Sequence, residues 1–329
     1  MLQGRRRVLG MLGGALAAAS VPALAQQSAK LPRVGYLFSF VPSQGEHLWE
    51  ACRQGLRELG YVEGKNIVLE PRWAGGRHER LPALVAELAR LKVDVIVSAA
   101  TPASLAAKAG AGSIPVVMVA VGDPLKVGLV SSLNRPGGNM TGLTLLTPDL
   151  SGKRLQLVLD LLGRAERVAL LVNPENRVHD VFLAETQAAA GTLGIRLQVR
   201  QARNAGEIDH ALDFAGEPQP DAVIVFDDPV LWGFRKQIVV QVSRARLPAV
   251  YGYSEFVDDG GLVSLGPDRI DHYRRTARYV DSLLKGAKPA ELPVERPTKF
   301  ELVINAGAAR SLGLTLSQVL LLRADRVIE

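Results

Sequence analysis

The chain has 329 residues, 47% hydrophobic and 22% charged, which excludes a disordered or collagen-like protein and leaves room for two domains of ordinary size. Its formal charge of +6 comes from 39 Lys+Arg against 33 Asp+Glu, and three of those arginines, Arg5, Arg6 and Arg7, lie in a leader that is expected to be removed. The small excess that remains is spread along the chain and points to no nucleic-acid partner, and a single cysteine, Cys52, excludes a disulfide framework or a Cys-rich metal site.

The three arginines precede a Gly/Ala-rich apolar run over 8–21, and Pro22-Ala23-Leu24-Ala25 follows it. A charged start, a short apolar run and an Ala-x-Ala end form the pattern of a cleaved secretory signal over 1–25. Arg5-Arg6-x-Val8-Leu9 resembles a twin-arginine signal. The run is too short and too rich in Gly and Ala for a membrane anchor. No cysteine stands at the cleavage point, so no lipid anchor is expected. The processed chain is expected to be soluble in a bacterial periplasm.

The first strand is read at 33–38, and a helix follows over 46–59 with Leu48, Cys52, Leu56 and Leu59 on one face, closed by Gly60. Cys52 then reads as a small buried hydrophobe. A strand at 66–70, a helix over 81–91, a strand at 93–97, a helix over 103–109 and a strand at 114–121 complete a first half. The order returns with a strand at 167–172, a helix over 182–193 closed by Gly194, a strand at 195–199, a helix over 205–215, and strands at 221–226 and 247–251. Val34 matches Val168, Asp94 matches Asp221, and Pro115 matches Pro248, which is a repeat of about 130 residues.

Alternating strands and helices predict two doubly wound parallel α/β lobes. Ligands in such sheets bind at the carboxyl ends of the strands. If the lobes face each other, their exit loops line one cleft. The first-half loops carry Ser39, Ser98, Thr101, Gly122 and Asp123, and the second-half loops carry Asn173, Asn176, Asp227, Asp228 and Ser254. Thr101 and Pro102 lead into a helix whose free N–H groups, with the Ser98 and Thr101 hydroxyls, suit a carboxylate, although a plain N-cap explains Thr101 equally well. Asp123, Asp227 and Asp228 suit an ammonium group, and turn chemistry is the alternative for any one of them. Phe40, Tyr253 and Phe256 stand past their strands and are expected to wall an apolar pocket. The set describes a free amino acid or a similar small amphipathic molecule.

No G-x-G-x-x-G follows a strand, and neither a phosphate-binding G-x-x-x-x-G-K-[ST] nor a G-x-S-x-G occurs. His47, His78, His179, His210 and His272 are scattered, with none at metal spacing. No cofactor, no metal and no catalytic residue is expected, so the protein reads as a binder and not an enzyme.

Gly55-Leu56-Arg57-Glu58-Leu59-Gly60-Tyr61-Val62-Glu63-Gly64-Lys65-Asn66, Val121-Gly122-Asp123-Pro124 and Asn134-Arg135-Pro136-Gly137-Gly138-Asn139-Met140-Thr141-Gly142 resemble ABC-transporter substrate-binding proteins of the tryptophan/tyrosine-binding-like family. Leu150-Ser151-Gly152-Lys153-Arg154, Phe256-Val257-Asp258-Asp259-Gly260-Gly261-Leu262 and the tail at Asn305 and Leu312-Gly313-Leu314 extend the likeness from about Leu31 to the end. The resemblance implies a type I periplasmic-binding-protein fold, two lobes joined by a three-strand hinge. It implies lobe one over 31–144 plus 254–294, lobe two over 145–253 plus 295–329, and hinge pieces at 139–145, 251–261 and 296–302. It carries ligand roles onto Thr101, Asp123, Asn173 and Asp227, whereas Asp228 departs from a pattern in which a polar amide is commoner. It further implies a clamp that closes on an amino acid, aromatic by preference, and docks on an ABC permease in the inner membrane; a monomer is expected because each lobe can bury its own core. The alternatives are a periplasmic sensor subunit with the same clamp, or a ligand other than an amino acid.

Overall fold

The computed structural model describes residues 30–146 and 150–329. The expected signal segment lies outside the described residues. Leu31–Glu329 forms one compact unit.

In the first half, β1 (Arg33–Phe38), α1 (Pro42–Glu58), β2 (Val68–Trp73), α2 (Leu81–Arg90), β3 (Val95–Ala99), α3 (Ala100–Gly110), β4 (Val116–Val121) and β5 (Met140–Thr144) follow in order. The second half runs α4 (Leu150–Leu162), β6 (Arg167–Val172), α5 (Val178–Leu193), β7 (Arg196–Gln201), α6 (Ala205–Ala211), β8 (Ala222–Val225), α7 (Pro229–Gly233), α8 (Arg235–Arg244), β9 (Ala249–Tyr251) and α9 (Glu255–Asp258). It closes with β10 (Val263–Pro267), α10 (Arg269–Leu284), β11 (Phe300–Asn305), α11 (Ala306–Ser311), α12 (Gln318–Arg323) and β12 (Arg326–Ile328).

The strands form two sheets, ordered β2-β1-β3-β4-β5 and β12-β11-β10-β9-β8-β6-β7. All pairings are parallel except β10 with β11. Strand residues alternate between two buried faces, as a doubly covered sheet requires. Val34, Tyr36 and Phe38 of β1 join Leu48, Cys52 and Leu56 of α1 and Tyr273 and Val280 of α10. Leu37, Ile96 and Met118 face the other way, onto Leu84, Val85 and Leu88 of α2 and Ala103 and Ala107 of α3. In the second sheet Val168, Leu170 and Ile224 pack on Leu155, Val158 and Leu161 of α4. Ala169, Leu171 and Val223 pack on Ile208 of α6 and Ile238 and Val242 of α8. Cys52 is fully buried, and burial pushes its thiol up to about 12. Gly60 and Gly194 follow α1 and α5 in the left-handed region (φ 86° and 69°), where a side chain is costly.

The chain passes between the lobes three times: after β5, between β10 and α10 at Pro267–Asp268, and on the way to β11. The crossings hold each other by backbone bonds, Thr144 N to Glu295 O (2.9 Å), Glu295 N to Gly142 O (2.9 Å) and Asp268 N to Lys299 O (3.1 Å). This corrects one expectation from the sequence. The stretch 254–267 belongs to the second sheet, because β10 pairs with β9 and β11, and only α10 returns to pack on α1 and β3–β5. The middle crossing therefore stands at 267–268 and not at 251–261. The resemblance implied the crossing at 251–261, and only strand pairing reveals that β10 follows that stretch in the same lobe.

Candidate functional site

The carboxyl ends of the two sheets face each other and touch. The β1 exit meets the β8 exit: the Phe40 ring stands 5.0 Å from Trp232, edge to face, and Gln44 Nε2 donates to Gly233 O at 2.8 Å. At the β4 exit, a Cβ added to Gly122 would lie 2.3 Å from Val178 Cγ2 and 3.0 Å from Phe182 Cζ of the second lobe. Lys126 reaches Glu185 across the rim at 3.5 Å. The lobes are thus closed on each other.

In the second lobe the expected polar residues divide by their partners. Asp228 Oδ1 accepts from Val230 N (2.8 Å), Leu231 N (2.9 Å) and Asn173 Nδ2 (3.1 Å), and Oδ2 accepts from Asn176 Nδ2 (2.9 Å). Asp228 is therefore the N-cap of α7 and the tether of the 173–176 loop, and its oxygens are taken up inside the lobe. Asn173 is likewise occupied, since its Oδ1 accepts from Glu175 N at 3.0 Å. Asp227 differs. Its Oδ2 accepts from Arg154 Nη2 at 2.9 Å, while its buried Oδ1 has no hydrogen-bond partner. Arg154, which also donates Nε to Leu265 O at 3.0 Å, is as buried as Asp227. The pair borders a small recess walled by Phe182, Ile224 and Phe226.

In the first lobe Ser39 Oγ donates to Ala99 O at 3.2 Å, and Ser98 Oγ lies 2.9 Å from Ser104 Oγ, so both hydroxyls have internal partners. Asp123 Oδ1 accepts from Leu125 N and Lys126 N, both at 3.0 Å, which is turn chemistry. Thr101 does not cap its helix. Its Oγ1 accepts from Gly122 N at 3.3 Å, and α3 begins with no side-chain cap. Ala100 and Ala120, at the ends of β3 and β4, both hold positive φ (72° and 56°), a strained conformation for alanine that clusters at functional sites. The first N–H groups of α3 are thus buried beside Gly122 and lack a side-chain acceptor.

The three aromatic residues also separate. Phe40 and Tyr253 lie where the lobes meet. Phe256 does not: α9 turns its ring back onto Tyr251, at 4.6 Å and nearly parallel, inside the second lobe. Ser254 is half-buried, near Glu301 of β11.

Four residues absent from the sequence-based set complete the junction. Arg269 Nη1 lies 2.7 Å from Glu255 Oε1, and its guanidinium stands 4.4 Å from the Trp232 ring centroid and 4.2 Å from that of Tyr253. His47 Nε2 sits 3.1 Å from the same Glu255 oxygen. Burial alone would raise the Glu255 carboxyl, but the Arg269 charge and the hydrogen bond from His47 outweigh it and bring it down to about 2. Burial, with the Asp227 charge added, pushes the Tyr253 phenol well above its ordinary value. No local pattern marks these residues. Trp232, three residues past Pro229, and Glu255, between Ser254 and Phe256, stood close enough to exit loops to be suspected.

Two parallel α/β lobes, three crossings between them, and exit loops from both sheets turned into one cleft define the type I periplasmic-binding-protein class. The chain belongs to the family described as ABC transporter substrate binding protein, whose pattern matches residues 46–328. A tyrosine-binding protein of Clostridioides difficile (strain R20291) is 23% identical over 79% of this chain and 75% of its own length. The crystal structure of a conserved domain protein from Vibrio cholerae is 27% identical, with a TM-score of 0.86 over 91% of this chain and all of its own. The structure of an ABC domain from Streptococcus pneumonia in complex with L-Trp is 25% identical, with a TM-score of 0.84 over the same shares. Among the described residues no helix is long and apolar enough to cross a membrane.

Proposed function

We propose that this protein is the exported binding subunit of an ABC importer, which closes its lobes on an aromatic amino acid and presents it to a membrane permease. The observation that carries the reading is the uncapped start of α3, buried at the β3 exit beside Gly122 and opposite the second lobe. Buried N–H groups without a side-chain acceptor suit a carboxylate. Asp227, with one free oxygen, and Asp123 are the acids left to meet an ammonium group once Asp228 is committed to α7. Phe182 and Phe226 wall the recess beside Asp227 and are the aromatic surfaces left for such a ligand once Arg269 covers Trp232 and Tyr253. The pneumococcal structure with L-Trp and the tyrosine-binding relative support the same ligand class. The leader pattern over 1–25 supports export, and a buried cluster confined to each lobe supports a monomer.

The test is a thermal-shift panel on protein refolded free of ligand, with aromatic and aliphatic amino acids, sugars and nucleosides. A ligand at about 1,000 times its Kd adds about 4 kcal/mol of stability, a shift of several degrees. Tryptophan, tyrosine or phenylalanine is expected to give it. A shift with a sugar or nucleoside and none with any amino acid would overturn the ligand class.

A further inference from the structure

We propose that Arg269 is a latch between the lobes, and that its engagement sets how far the protein closes before any ligand arrives. Arg269 opens α10, which packs on α1 and β3–β5 of the first lobe. Its guanidinium nevertheless lies in a socket supplied by the second lobe: the Trp232 ring of α7 on one side, the Tyr253 ring from the β9 exit on another, and the Glu255 carboxylate at 2.7 Å. Tyr273, one turn further along α10, lies 6.0 Å away and backs the charge from its own lobe.

The socket is built from both sides. Glu255 also receives His47 of α1, and Trp232 also receives the edge of Phe40 from the β1 exit. Each of the two second-lobe residues therefore grips two residues of the first lobe. Arg269 is about nine-tenths buried. A flat cation between ring faces with a carboxylate at its end is a strong contact when water is excluded. Glu255 finds its charged partners, Arg269 and His47, across the junction, so the contact favours the closed arrangement itself. The inference rests on the reading of the protein as a clamp that opens.

The experiment places spin labels through cysteines substituted for exposed Lys65 of the first lobe and Lys236 of the second. The buried Cys52 thiol stays unlabelled. Label distances are measured in ligand-free protein. Arg269→Gln and Trp232→Leu are each expected to move the population to longer distances, lowering the closed-to-open ratio about tenfold, and apparent ligand affinity falls as the closed fraction falls. Arg269→Lys keeps the charge without the flat faces and is expected to fall between. The double variant Arg269→Gln/Trp232→Leu is expected to add little to either single change, because both break one contact. Where Arg269→Gln leaves Glu255 with His47 alone and the protein fails to fold, Arg269→Gln/Glu255→Gln removes both charges and is expected to open the lobes equally. Wild-type distances in the folded Arg269 and Trp232 variants would overturn the latch. These distances are read without ligand, so a failed ligand panel leaves the latch standing, and unchanged distances leave the ligand reading standing.

Discussion

His272 sits on α10 beside the first crossing, 2% exposed. Burial, aided by the neighbouring Arg275 charge and only partly offset by Asp271 and the backbone of Leu143 and Thr144, brings its imidazole down to about 4. The unfolded chain therefore takes up this proton first as pH falls. The stability that neutral His272 contributes is complete above about pH 6.5 and is lost between about 6.5 and 4, roughly 3 kcal/mol in all. Denaturant unfolding from about pH 7 to about pH 4.5 is expected to show that loss, and His272→Gln is expected to flatten it. An equal slope in the variant would assign the loss elsewhere. Glu255 titrates lower: with a folded value of about 2 its carboxylate stays charged against Arg269, and the stability it contributes is lost only as pH falls from about 4.5 toward 2.

At the scale of elements, the duplication conceals a difference in how two matching helices begin. Asp227-Asp228-Pro229 and Ala100-Thr101-Pro102 occupy equivalent exits, yet α7 is capped by Asp228 while α3 carries no cap. One exit is closed by its own side-chain chemistry, and the other begins with no side-chain acceptor. Asp228→Ala would free two backbone N–H groups of α7 and both amides of the 173–176 loop. Each such loss costs about 1 kcal/mol or more, so a destabilisation of about 3 kcal/mol is expected in urea unfolding. A change below about 1 kcal/mol would mean that water replaces the carboxylate at little cost. Asp227 answers to a different constraint. It balances the buried Arg154 charge, so its removal strands a cation.

For the whole molecule, closure depends on how near the two rims can come. Gly122 has an ordinary backbone conformation, and its lack of a side chain matters only because Val178 of the other lobe stands against it. Gly122→Ala is therefore expected to leave unfolding stability within about 1 kcal/mol of wild type, since each lobe keeps its own core. It is also expected to hold the rims apart, which small-angle scattering would detect as a larger radius of gyration in ligand-free protein. An unchanged radius would show that Val178 simply rotates away. The latch at Arg269 and the tight rim at Gly122 act in opposite senses under mutation of different kinds: one variant removes an attraction, and the other introduces a clash.

The amino-acid sequence by itself determined the alternation of strands and helices, the repeat of about 130 residues, the buried strand faces and the loops at the carboxyl ends of the strands. These depend on periodicity over a few residues and on glycine and proline at turns, which act locally wherever the chain goes. Tertiary structure decided which exit-loop residues remain free. Asp227 and Asp228 are neighbours of one type, yet one pairs with Arg154, 73 residues away, and the other with Asn173 and Asn176, over 50 residues away. It also decided that β10 joins the second sheet, that Phe256 turns inward, and that Arg269 reaches across to Trp232, Tyr253 and Glu255. The physical reason is common to all of these. A hydrogen bond, a ring stack or a strand pairing between distant residues depends on where two segments meet in space, and no local pattern of residues encodes that meeting.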